Sequence, residues 1–216
     1  MLGHAKSALQ VAAIIVVASL LAGGCSTNRE VTRPKPVPVT VARLKAALVV
    51  AADLPTTFAP ATPGTPINAE LIPEHKCDDA IKKLQPKAQA TADFTAAGAR
   101  FSTTVAWFPG QGGAVDQLYR DIANECAAVV VADKGLSLRT SSLNFGVLSK
   151  DTLPLKIEAE KTDGTIEERD LIVMRNGDLV SIIRLTGPRP SDKDLLDATT
   201  RVAIGRLGFL VDQTAG

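Results

Sequence analysis

Alternating apolar and polar residues predict β-strands joined by tight turns in the middle of the chain. In ATADFTAAGARFSTTVAWF, a turn near Gly98 separates two strands, and the second strand places Phe101, Thr103, Val105 and Trp107 on one face. We expect this face to lie in the core.

A second set of strands is predicted farther along the chain. Apolar residues alternate with charged ones from Leu155 to Ala159, and Asp163-Gly164 marks a turn before the run from Ile166 to Arg175. Asn176-Gly177, a strong hairpin signal because both residue types tolerate positive φ, leads into DLVSIIRL. These three strands predict an antiparallel meander, and residues 136–145 predict one further strand.

Apolar positions spaced three and four residues apart predict helices. The first lies in VARLKAALVVAADLP and ends near Asp53, because Pro55 cannot continue it. Another ends at Cys126, and the last begins with Ser191 as its N-cap. Their apolar faces comprise Leu44, Leu48, Ala51 and Ala52, then Val115, Leu118, Tyr119, Ile122, Ala123 and Cys126, and finally Leu195, Val202, Ala203 and Leu207.

Strands beside helices without strict alternation favour an α+β fold, an antiparallel β-sheet flanked by helices. Residues 41–212 have the size of one domain and are expected to form it, followed by a tail at residues 213–216. Within this domain, CDDAIKKLQ predicts a short helix. Residues 56–76 contain four prolines and predict a loop with at most one short strand.

The N-terminal region has the pattern of an export signal followed by a lipid-anchor site. Lys6 precedes an aliphatic stretch from Ala8 to Ala22, which is too short for a membrane helix of about 20 residues. It ends in Leu-Ala-Gly-Gly-Cys, which resembles the lipobox of bacterial lipoproteins. We predict a lipoprotein signal peptide at residues 1–24 and lipidation of Cys25, with an ordinary cleaved signal and an incidental Cys as the alternative.

Residues 25–40 are rich in proline and charge and have little to pack, so they predict an extended tether behind the lipidated Cys25. Two or more acyl chains hold a protein stably on a bilayer. The predicted location is therefore the extracytoplasmic face of the cell membrane, and the membrane is a predicted partner through the lipid anchor.

Charge excludes one class of partner. Without residues 1–24 the chain keeps 23 basic and 23 acidic side chains, and the two signs are interspersed. Nucleic-acid binding needs a basic surface, so we do not expect it.

Export to an oxidising compartment favours a disulfide between the two other cysteines, Cys77 and Cys126. Closing this loop of roughly 50 residues would contribute about 4 kcal/mol in the chain-entropy model. Two independent buried thiols remain the alternative.

The sequence offers little for catalysis. His75 is the one histidine after residue 24, and neither a G-x-S-x-G nor an S-x-x-K motif occurs. We therefore expect a protein that is not an enzyme and has no cofactor.

Two local clusters resemble ligand-binding motifs, but the sequence favours a structural explanation for each. Glu74, His75, Cys77, Asp78 and Asp79 carry metal-ligand types, but no second Cys or His pair completes a structural zinc site, so we expect no metal. The glycines of FPGQGGAVDQ, namely Gly110, Gly112 and Gly113, lack the lysine of a P-loop and predict a flexible turn that enters a helix.

Taken together, the tether, AADLPTTF, the distant cysteines, VMRNGDLVSIIRL and the terminal amphipathic helix resemble the PknH-like extracellular sensor domain family over residues 41–212. This family comprises actinobacterial envelope lipoproteins and the outer portions of transmembrane protein kinases. The resemblance implies an antiparallel sheet flanked by helices with a cleft for an unknown ligand, and no catalytic residues.

The preferred function is therefore that of a membrane-anchored lipoprotein whose extracytoplasmic domain binds or senses an envelope ligand or partner. A carrier of lipid or glycolipid, which needs a large apolar cavity, is the alternative. A hydrolase built on His75 ranks third. The sequence identifies no ligand-binding residues.

Overall fold

The computed structural model describes residues 37–62, 64–69, 79–132, 135–144, 151–188 and 192–214. All of them belong to one compact unit that spans residues 34–216. The helices are α1 (Val41–Ala46), α2 (Asp79–Lys82), α3 (Gly112–Glu125) and α4 (Lys193–Thr214), with a 3-10 turn at Ala51–Asp53. The strands are β1 (Ala59–Ala61), β2 (Ala88–Ala96), β3 (Ala99–Trp107), β4 (Ala128–Val131), β5 (Leu136–Ser142), β6 (Thr152–Lys161), β7 (Ile166–Asn176) and β8 (Leu179–Pro188).

Within the described ranges, the strands form one sheet of eight in the order β1-β2-β3-β8-β7-β6-β5-β4, and every neighbouring pair is antiparallel. The predicted α+β class is therefore confirmed. The hairpins β2–β3, β6–β7 and β7–β8 turn where the sequence predicts, with Gly98, Gly164 and Gly177 at positive φ. The pattern predicts no strand at β4, which is only four residues long.

Helices cover both faces of the sheet. On one face α1 and α4 enclose a core that includes Phe101, Val105 and Leu196. On the other face α3 packs over a second core that includes Tyr119 and Leu171. Burial on both sides explains why β7 and β8 contain continuous apolar runs instead of strict alternation.

The first helix is shorter than predicted. It ends at Ala46, and the chain extends through Val49 and Val50 before the 3-10 turn. The Val50 N–H donates to the Asp53 carboxylate at 2.8 Å, and Arg206 of α4 binds the same carboxylate. The helix breaks here because a side chain far along the chain holds Asp53 and because Val49 is fully buried.

The start of α4 also differs in detail from the prediction. The Asp192 side chain accepts a hydrogen bond from the Leu195 N–H at 2.9 Å and so caps the helix. Ser191, the predicted N-cap, lies outside the described residues.

No helix in the described part of the chain is both long enough and apolar enough to span a bilayer.

Candidate functional site

Two rows of side chains cross the sheet on the face that α3 covers. The register of β2, β3, β8 and β7 aligns residues that start at Asp93 in one row and at Thr95 in the next. The first row comprises Asp93, Ser102, Arg184 and Leu171, and the second comprises Thr95, Arg100, Thr186 and Arg169. Three arginines from three strands therefore meet at one end of this face.

The segment 64–69 crosses the sheet above these rows, and we call it the crossing segment. Thr65 binds Asp93 through both its backbone N–H, at 2.8 Å, and its hydroxyl, at 2.6 Å. The Thr104 hydroxyl donates to the Thr65 carbonyl at 2.6 Å. Ile67 is fully buried, and its N–H donates to the Gln89 side chain at 3.2 Å. The crossing segment is thus fixed by side chains of β2 and β3.

Gly64 allows the crossing segment to approach the sheet closely. A Cβ at this position would overlap the Thr91 side chain and lie 3.3 Å from the Thr91 backbone carbon. Because Thr91 is β-branched and is paired with Thr104 of β3, it has little freedom to move away. Glycine is therefore the residue that this contact requires.

Arg184 lies beneath the crossing segment and is 9% exposed. Its Nη2 donates to the Ile67 carbonyl at 3.2 Å, and the Tyr119 hydroxyl donates to the same oxygen at 2.9 Å. Its Nε and Nη1 are buried and have no hydrogen-bond partner among the described residues. Burial lowers the pKa of Arg184, while Tyr119 and Asp93 oppose that change. Burial raises the pKa of Tyr119 to about 12, so its hydroxyl remains a donor.

Asp93 is buried in the same row but is fully engaged. Arg100 donates to it through Nε at 2.8 Å and through Nη2, and Thr65 supplies the two bonds described above. Burial alone would raise the pKa of Asp93, but the hydrogen bonds from Thr65 and Arg100 bring it below its usual value. Asp93 is therefore a carboxylate that holds Arg100 and the crossing segment in place.

These groups line a pocket of about 240 Å³, which we call the arginine pocket. Arg169 reaches it from β7 and is oriented by Glu167, whose Oε1 accepts from its Nε at 2.8 Å. A broader recess of about 610 Å³ shares Arg100 and Thr186 with it and adds Lys161. The arginine pocket is lined by Thr65, Arg100, Ser102, Ile157, Arg169, Asp170, Leu171, Arg184 and Thr186.

Most of the residues that the sequence singles out fall elsewhere. Cys25, Glu74, His75, Cys77 and Asp78 lie outside the described residues. The predicted lipidation and the predicted Cys77–Cys126 pair therefore remain predictions.

Two other residues that the sequence singles out, Cys126 and Asp79, are among the described residues. Cys126 is fully buried at the C-terminal end of α3, as its place on the apolar face predicts. Asp79 begins α2 and forms an exposed ion pair with Lys82 at 3.7 Å. In the part of the chain that the structure describes, no three His, Cys, Asp or Glu side chains group as metal ligands would.

The glycine-rich turn before α3 packs against the β7–β8 turn. The Gly110 N–H donates to the Asp178 carboxylate at 2.8 Å, and Gly112 lies against the Gly177 carbonyl with no room for a side chain. A carboxylate of the chain itself thus binds the N–H that a phosphate loop would offer. The geometry agrees with a turn that enters a helix.

Local sequence patterns mark none of the residues that line the arginine pocket as a candidate site residue. One signal was available, because Arg184 interrupts the apolar run of β8 between Ile183 and Leu185. A cation in a strand that is otherwise buried needs a partner or a function. The convergence with Arg100 and Arg169 depends on the strand order β3-β8-β7, which no local pattern reveals.

Comparisons with known proteins give a structural likeness. No protein-family model matches the chain, and no curated protein matches it. The crystal structure of the extracellular domain of PknH from Mycobacterium tuberculosis is similar, with a TM-score of 0.57 and 15% identity over 82% of this chain and 98% of that one. The chain has the fold of that domain. An uncharacterised protein from Mycobacterium smegmatis, the Rv0999 ortholog, gives a TM-score of 0.44 at 15% identity over 85% of this chain and 99% of that one.

Proposed function

We propose that the protein is a membrane-anchored envelope lipoprotein whose extracytoplasmic domain binds or senses a ligand. Two observations support the proposal. The N-terminal sequence resembles a signal peptide and lipobox ending at Cys25, and the fold is shared with a domain that is extracellular in PknH. The location follows from the first observation and the binding role is suggested by the second.

The arginine pocket is the proposed ligand site. The observation that carries this assignment is the meeting of Arg100, Arg169 and Arg184 at a recess whose roof is fixed by the crossing segment. Binding sites are concave and carry a few oriented polar groups, and this pocket has both properties. The pre-formed hydrogen bonds to Asp93 lower the cost of ordering the site when a ligand enters.

We further propose that the ligand leaves unchanged. The lack of a nucleophile motif in the sequence supports this view, and His75 is the one histidine through which a Cys-His or Ser-His mechanism could act in the exported chain. Turnover of a bound compound that His75→Ala abolishes would contradict binding without catalysis.

The assignment to the arginine pocket can be tested with a variant that fills it. The full chain in detergent would be screened for a raised thermal midpoint against envelope glycans, lipids and peptidoglycan fragments, because selective binding to the folded state stabilises it. Thr186→Phe should remove the response because Thr186 lines the pocket. Ser137→Phe is the control, since Ser137 is also partly buried but lies in β5, and neither it nor its register partners Val130 and Glu160 line the pocket.

A response that survives Thr186→Phe would place the ligand elsewhere, and the absence of any response would oppose a binding function for these ligand classes. The lipid-carrier alternative is not favoured by the described residues, because packed side chains fill both faces of the sheet. Lipid that co-purifies with the protein from its own host and is seen by native mass spectrometry would support that alternative.

A further inference from the structure

Arg184 has hydrogen-bonding capacity that the described residues do not use. Its guanidinium has five N–H groups, and the one bond formed within the described residues is to the Ile67 carbonyl, which also accepts from Tyr119. The Nε and Nη1 atoms are buried and have no hydrogen-bond partner in the described part of the chain. A buried charge without hydrogen bonds is costly unless it is paired, so its position calls for a negatively charged partner.

The nearest acid in the same row cannot serve as that partner. The charge of Asp93 opposes the lowering of the Arg184 pKa by burial, but the carboxylate oxygens of Asp93 accept hydrogen bonds from Thr65 and Arg100. No carboxylate of the described residues forms an ion pair with Arg184, whereas Arg100 and Arg169 each have one. Of these three arginines, Arg184 is therefore the one that has no carboxylate partner among the described residues.

Arg100 and Arg169 provide further donors at the mouth of the pocket. Their positions flank Thr186 in the register, and their side chains are 48% and 28% exposed. Each guanidinium is oriented by a carboxylate, Arg100 by Asp93 and Arg169 by Glu167. Guanidinium groups bind phosphate and carboxylate oxygens through paired hydrogen bonds, which suits an oxyanion at this point.

The size of the pocket limits the occupant. Sites for drug-sized molecules are roughly 300–1,000 Å³, and the arginine pocket is about 240 Å³. It therefore suits a small anionic group, and the adjoining recess with Lys161 can receive the remainder of a larger molecule.

We propose that the arginine pocket binds an oxyanion, namely a phosphate, sulfate or carboxylate group, through Arg184 with Arg100 and Arg169 at its mouth. This inference rests on the proposed function, because it names the chemical class of ligand for the same site. The group is either a free ion or part of a larger envelope molecule.

The test compares two arginines that differ mainly in position. Arg169 and Arg175 both lie on β7 on the same face, are 28% and 29% exposed, and pair with Glu167 and Asp151 respectively. Only Arg169 lines the arginine pocket. Arg175→Gln therefore controls for the loss of an arginine and of its ion pair.

The thermal midpoint of the full chain in detergent would be followed against inorganic phosphate, sulfate, acetate and glycerol 3-phosphate, with ionic strength held constant by chloride. For at least one of the four, Arg169→Gln should raise the half-maximal concentration about tenfold relative to Arg175→Gln, because hydrogen bonds to charged groups contribute this much. Arg184→Gln should abolish the response. Tighter binding of glycerol 3-phosphate than of phosphate would indicate a group carried by a larger molecule, and the reverse would indicate the free ion.

Equal responses of Arg169→Gln and Arg175→Gln to all four anions would overturn the inference, since a general salt effect acts on both variants alike. A neutral envelope compound would also overturn the inference if its effect on the thermal midpoint is lost in Thr186→Phe but kept in Arg184→Gln. The proposed function would then stand. If no envelope compound raises the thermal midpoint of the unsubstituted protein, the result would instead oppose the proposed function.

Discussion

The proposed binding role of Arg184 implies a cost in stability. It is a nearly buried cation whose Nε and Nη1 have no partner among the described residues. Replacing such a group by an apolar side chain of similar length removes a desolvation cost. The Ile67 carbonyl would keep its bond from Tyr119.

We therefore predict that Arg184→Met leaves the free energy of unfolding unchanged or raises it by about 1 kcal/mol, while the response to anions is lost. Urea denaturation of the full chain checks the first part, with Arg175→Met as the control for arginine loss. A fall of more than about 2 kcal/mol would show that Arg184 stabilises the fold and would remove the argument for a functional charge.

In contrast to Arg184, Asp93 is predicted to stabilise the fold. Asp93→Asn should lower the free energy of unfolding by about 3 kcal/mol, because Thr65 and Arg100 lose the buried carboxylate that accepts their hydrogen bonds. Asp197→Asn is the control, since its ion pair with Arg201 is on the surface of α4 and should be worth less than about 1 kcal/mol.

The pKa of Asp93 also predicts a pH dependence. Because it is lowered in the folded state, the stabilisation from Asp93 is present above its unfolded pKa of about 3.9 and is lost as the pH falls through the folded value. Asp93→Asn should flatten this part of the stability curve in acid. Identical acid slopes for the two proteins would contradict the assignment.

At the scale of elements, the crossing segment is the part that forms the roof of the pocket. Gly64→Ala should lower the free energy of unfolding by about 1–3 kcal/mol, because the new Cβ meets a stiff Thr91, and it should weaken ligand binding as the roof shifts. Gly113→Ala is the control: Gly113 lies in α3 with open space around its Cα, so alanine should stabilise by about 0.5–1 kcal/mol. Equal effects of the two substitutions, measured by urea denaturation, would argue against the close contact.

Local patterns predicted the elements whose interactions are local. The hairpins at Gly98 and Gly177 and the buried face of α3 follow from turn residues and periodicity alone. The end of α1 does not, because it depends on Arg206, which binds Asp53 from α4. The arginine pocket is of the same kind, since Arg100, Arg169 and Arg184 belong to three different strands and meet only through strand order.

At the scale of the whole molecule, the proposed anchor makes a separate prediction. Cys25→Ala should leave the protein unlipidated and move it out of the detergent phase on phase partitioning, because the acyl chains supply nearly all of its membrane affinity. Retention of the variant in the detergent phase would refute the anchor.

The predicted disulfide is tested by counting thiols. The denatured, unreduced full chain with Cys25→Ala should show no alkylation of Cys77 or Cys126 by intact mass, and each should react after reduction. Two reactive thiols before reduction would show that the alternative, independent thiols, is correct.

The central claim is that the domain binds its ligand in the arginine pocket. The most direct measurement is a crystal structure of the protein with the compound that raises its thermal midpoint most. We predict density beneath the crossing segment, in contact with Arg184 and beside Thr186. Density at another site, such as the apolar groove that Ala46 and Phe209 line between α1 and α4, with an empty arginine pocket, would contradict the account.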